Sequence, residues 1–89
     1  VSKLSNLKAL AEIELGDSIS DHEMKKAEQY ARRKLDWIIN REGDAQGKRR
    51  QPWYLAMLIA ETVSQDRFSE ICRIHNELIM NIEKDCAAR

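Results

Sequence analysis

With 89 residues the chain has room for one domain and one modest core, which excludes a second lobe. A hydrophobic content of 43%, a charged content of 34%, three Gly and one Pro exclude a disordered or turn-rich chain and point to helix. The net charge is zero, but its signs are sorted: residues 25–54 hold nine basic and four acidic side chains, whereas residues 1–24 and 55–89 are each net acidic.

The first helix is expected over Lys3 to Leu15, with Leu4, Leu7, Ala11 and Leu15 on one stripe and Gly16 as its stop. Ser20 followed by Glu23 fits the S-x-x-E capping box, so the second helix starts at Asp21 and runs to about Glu42, where Gly43 closes it. Met24, Ala27, Ala31, Leu35 and Ile38 form its inner stripe, and Tyr30 and Trp37 lie on the shoulder as half-buried rings. A long basic loop, Gly43 to Gln51, follows. Pro52 suits the first turn of a third helix because its missing N–H has no helical partner there.

From Trp53 to Val63 the residues are apolar nearly all round, which predicts the most buried element. Ser64-Gln65-Asp66 reads as a turn, and a fourth helix is expected from Arg67 to Asp85. Its apolar face, Ile71, Cys72, Ile74, Leu78, Ile79 and Ile82, is wide enough to imply two neighbours or a second subunit. The fold class is therefore all-α: one compact bundle of about four helices spanning residues 1–89, with a homo-oligomer a reasonable way to gain burial.

Lys48, Arg49 and Arg50, running into Trp53 and Tyr54, are the strongest candidate binding residues. Lys25, Lys26, Arg32 and Arg33 support them from the outward face of the second helix. Such a patch suits nucleic-acid phosphates, with an aromatic free to stack on a base. It equally suits a protein partner anchored by Arg50, Trp53 and Tyr54, or a loop that is simply solvated. A helix-turn-helix built from the third and fourth helices has a fitting turn, but Asp66, Glu70 and Glu77 offset the cations that would face DNA.

His75, central on the apolar face of the fourth helix, requires a partner for its ring N–H, and Glu61 is the candidate for a buried polar pair. With Cys72 the three make a conceivable acid/base or metal group, yet two ligands on one helix are not a site. Serines near helix starts are explained by capping, and no phosphate-binding or calcium loop has its required spacing. The sequence thus argues for binding rather than catalysis, with no metal and no cofactor.

Cys72 and Cys86, about 21 Å apart on one helix, cannot pair with each other. Free thiols suggest the cytoplasm. The longest apolar run, Trp53 to Ala60, is too short for a bilayer, and no charged leader precedes an apolar run. A chain that opens on Val1 leaves the natural start undefined.

Overall fold

A computed structural model describes residues 3–88. Three α-helices carry the fold: α1 (Lys3–Leu15), α2 (Asp21–Glu42) and α3 (Pro52–Ala88). A single 3-10 turn, Lys48–Arg50, precedes α3. The all-helical class stands, and there are no strands among the described residues.

Each helix end has a local cause. Gly16, at φ 78°, ends α1 in a left-handed conformation that favours glycine, and its N–H donates to the Glu12 carbonyl at 2.8 Å. The capping box at the start of α2 forms as the sequence requires: Glu23 N–H donates to Ser20 Oγ at 3.2 Å, and Ser20 N–H donates to Glu23 Oε1 at 3.1 Å. Gly43 closes α2, its N–H reaching the Ile39 carbonyl.

The core is a three-helix head. Leu7 and Ala11 of α1, Met24, Ala27 and Ala31 of α2, and Leu55, Ala56, Leu58, Ile59 and Val63 of α3 are buried together. Ile19, in the connection between α1 and α2, joins them, its N–H donating to Glu12 Oε2 at 2.9 Å. Alanines at the contacts let the helix axes approach closely. The first half of α3 is thus the most buried element, while Leu4 lies outside the residues whose side chains are described.

The expected fourth helix does not exist as a separate element. α3 runs unbroken for 37 residues, straight through Ser64-Gln65-Asp66. Those residues are polar but include neither Gly nor Pro, and nothing in them removes a helical hydrogen bond or demands positive φ. A helix-turn-helix reading falls with the missing turn. The second half of α3 projects past the head as an arm, so the molecule measures 63 × 33 × 18 Å, with a radius of gyration of 17.9 Å. A globular domain of this length has a radius of gyration near 12 Å, so the chain is not the compact bundle expected.

The apolar stripe changes sides along α3. At about 100° per residue, the buried stripe Leu55–Val63 and the arm stripe Phe68–Ile82 are centred roughly 150° apart round the helix. The arm therefore turns its apolar face away from the side that α1 and α2 occupy. Phe68 is 68% exposed, Ile71 and Ile82 63%, and Leu78 56%. On the opposite, polar face Arg73 pairs with Glu70 and Glu77, one turn to either side, which supports the helix where the head does not.

Candidate binding face

The basic loop is held by its own side chains. Arg49 Nη1 donates to the carbonyls of Gly43 at 2.7 Å and Glu42 at 3.3 Å, and its Nη2 lies 3.4 Å from the Glu42 carboxylate. The guanidinium thereby satisfies the unpaired carbonyls at the C-terminus of α2 and complements the negative end of its dipole. Arg50 pairs with Asp44 at 3.3 Å. That contact, with help from the Gly47 N–H, holds the Asp44 carboxyl below its ordinary range. Ala45 and Gln46 adopt positive φ, 52° and 61°, and the loop closes on itself through Arg49 N–H to Asp44 O at 3.1 Å. Arg49 is thus largely turned into the end of α2, whereas the Arg50 side chain, beside Asp44, keeps 64% of its surface open. Lys48 is exposed.

Trp53 and Tyr54 meet edge to face, with centroids 5.8 Å apart and planes at 70°. Trp53 stays half exposed, while Tyr54 packs against the core and contributes less surface.

The four supporting cations of α2 divide between two flanks of the helix. Arg32 turns toward the opening between α1 and α2 and pairs with Glu28 at 2.8 Å. Lys25 falls on that same flank by its position in the helical turn. Lys26 and Arg33 share the other flank with Tyr30, Lys34, Trp37 and Arg41, a stripe about 110° round from the buried face. Tyr30 is 52% exposed and Trp37 57%. Arg41 lies over the Trp37 ring, 5.1 Å from its centroid, a cation–π contact that fixes both side chains. Tyr30, Arg33, Lys34 and Trp37 line a shallow recess of about 370 Å³. Lys34 Nζ also lies 3.5 Å from Glu61 of α3. This is where the structure brings cations and aromatics together.

Its signal in the sequence was the seven-residue spacing of Tyr30 and Trp37, two turns of helix, with Arg33 and Lys34 between them. Both rings lie on the shoulder of the inner stripe with about half their surface covered, as the spacing predicts.

The Glu61–His75 pair does not form. Both residues are exposed, and they stand 14 positions apart on one straight helix, about 21 Å. The pairing required α3 to fold back on itself, and α3 does not turn. Glu61 is engaged instead by Lys34 and by Gln65 Nε2 at 3.5 Å. Cys72 is half-buried, Cys86 is exposed, and no three His, Cys, Asp or Glu side chains cluster in metal-binding geometry among the described residues. No described helix is long and apolar enough to cross a membrane. The face on α2 therefore offers two half-exposed rings among positive charges, with Lys34 paired to Glu61 at its edge.

No family model, no curated protein and no solved structure matches the chain.

Proposed function

We propose that the chain is a non-catalytic nucleic-acid-associated protein, regulatory or accessory, which holds a single strand on the outer flank of α2. One observation carries the reading: Tyr30 and Trp37 stand exposed in line on that flank with Lys26, Arg33 and Arg41, Arg41 already seated on the Trp37 ring. Seven residues of helix separate the two rings by about 10 Å, a span that leaves each free to stack on its own base. The cations lie where the connecting phosphates would pass. Contact through backbone and stacking carries little sequence preference.

Among the described residues Lys26, Arg33 and Arg41 have no acidic side chain within ion-pair distance, and these three cations set the electrostatic share. A single strand that meets all three gives a salt slope of about −2, so affinity falls roughly 20-fold between 50 and 200 mM salt. Fluorescence anisotropy with a labelled oligothymidine tests this. Trp37→Ala is expected to weaken binding by about 5- to 100-fold, as loss of one stacked base does. Arg33→Glu lowers the salt slope by about one. Binding by the wild type that is unchanged in both variants, or no binding even at low salt, overturns the proposal.

A further inference from the structure

We infer that the arm of α3 pairs antiparallel with the arm of a second copy of this chain, forming a two-fold dimer. The inference is independent of nucleic-acid binding and rests on three observations about residues 67–86.

The arm's apolar face has no partner within the chain. Because its stripe is turned roughly 150° from the stripe that α1 and α2 cover, no extension of those helices would reach it. Phe68, Ile71, Ile74, Leu78, Ile79 and Ile82 are all exposed. Six large side chains in one row are not scattered surface apolar residues.

The stripe is also symmetric in sequence. Counting outward from His75, apolar residues recur three, four and seven positions to either side: Cys72 and Leu78, Ile71 and Ile79, Phe68 and Ile82. An antiparallel pair related by a two-fold axis through the His75 level sets each of these against its mirror position. Ile71 then faces Ile79 of the other copy, and Phe68 faces Ile82. A two-fold interface needs only one self-complementary face, and between Phe68 and Ile82 this one carries no carboxylate, lysine or arginine; its one basic side chain is His75, which lies on the axis and faces its own copy. Glu70, Arg73 and Glu77 all point to the opposite side of the helix by their position in the turn.

The area suffices. At the observed exposures the six side chains offer about 600 Å² per arm, hence up to about 1,200 Å² between two copies when fully covered, where specific interfaces begin. Full overlap carries the end of the partner's arm back to about the level of Ser64, on the side of α3 that the head does not use. The two heads then lie at opposite ends of a rod roughly 95 Å long, whereas a parallel pair keeps them side by side within the length of one chain.

Sedimentation equilibrium of the full chain, small-angle scattering and thiol cross-linking test the inference together. The wild type is expected to be a dimer at about 100 µM with a maximum dimension near 95 Å, and Ile79→Glu, an exposed position, is expected to give a monomer of unchanged head stability. In a Cys72→Ser, Cys86→Ser background, His75→Cys cross-links to itself. Phe68→Cys cross-links only when mixed with Ile82→Cys. A wild type that stays monomeric up to about 500 µM overturns the inference. So does an Ile79→Glu protein that remains dimeric, or efficient self-cross-linking of Phe68→Cys, which reports parallel arms.

Discussion

Arg67 grips Glu23 with two nitrogens, Nε at 2.8 Å and Nη2 at 3.0 Å, and so fastens α3 to the first turn of α2 at the level where the head ends and the arm begins. The same guanidinium reaches the Ser18 carbonyl at 2.7 Å and Asp17 at 3.1 Å, which ties the connection between α1 and α2 into one knot. A planar fork that meets a carboxylate in this way is not replaced by lysine. Glu23 has a second task as the far end of the capping box, so one carboxylate serves both helix α2 and the tertiary joint.

That double duty makes the head acid-sensitive in a defined window. The Arg67 guanidinium first, and the Ser20 backbone N–H second, hold the Glu23 carboxyl down to about 2, against 4.5 for the free group. A carboxylate depressed in the folded state stabilises it fully above its unfolded value and loses that contribution as pH falls through the folded one. The head is therefore expected to lose about 1–2 kcal/mol from this joint between roughly pH 4.5 and pH 2, the solvent-screened share of the shift. Thermal melts from pH 6 to pH 2.5, followed by circular dichroism, check it against Glu23→Gln. The variant should already be destabilised at pH 6, with a shallower acid slope. Parallel pH curves for the two proteins would assign the acid lability elsewhere.

A core position and an arm position should respond to truncation in opposite ways. Ile59 has no exposed surface, so Ile59→Ala is expected to cost about 2–5 kcal/mol and to lower the melting temperature at every protein concentration. Ile71 is largely exposed in the single chain, and Ile71→Ala should change head stability by less than about 0.5 kcal/mol. Chemical denaturation at two protein concentrations separates the two effects. Equal losses would mean that the arm packs on its own head in solution.

The continuity of α3 was the part of the fold the sequence concealed. Helix limits at Leu15, Asp21, Glu42 and Pro52 were legible because each coincides with a residue that acts locally: Gly16, Ser20 with Glu23, Gly43, and Pro52 itself. Ser64-Gln65-Asp66 resembles a turn only in polarity. No local chemistry there competes with the helix, and the change of stripe side along α3 is that of one helix with two different neighbourhoods. The candidate site was legible in the same partial way. Charge excess marked residues 25–54, but only the folded chain shows that Arg49 is engaged by Glu42 and Gly43 and that Arg50 pairs with Asp44 at the surface, whereas Lys26, Arg33 and Arg41 line up with two rings. A linear count of cations carries no information about which ones already have partners.

Breaking α3 at the position that reads as a turn should be costly. Gln65→Pro removes a backbone donor and forces its ring against the carbonyl four residues earlier, at a cost of about 3 kcal/mol in a helix interior. Far-ultraviolet dichroism is expected to show a loss of helix and a lower melting temperature, while Gln65→Ala leaves both unchanged or slightly raised. A fully helical, equally stable proline variant would mean that the helix is interrupted here in solution.

Arg49 separates the structural from the binding role of the basic loop. Its contacts to the Glu42 and Gly43 carbonyls close the end of α2, so Arg49→Ala is expected to cost about 0.5–1.5 kcal/mol of stability, the range for losing hydrogen bonds of this kind. Oligonucleotide affinity, measured well below the melting transition, should stay within about twofold of the wild type, because the guanidinium faces the helix end rather than solvent. Arg33 and Trp37 have the converse profile: neither is buried, so Arg33→Glu and Trp37→Ala should leave the melting temperature within about 2 °C while weakening binding. The loop and the flank of α2 adjoin, and their cations are chemically alike, so the comparison depends on having stability and affinity for the same three proteins. If Arg49→Ala weakens binding as much as Trp37→Ala does at full stability, the strand crosses the loop. The contact surface would then extend from Tyr30 past the end of α2 toward Lys48.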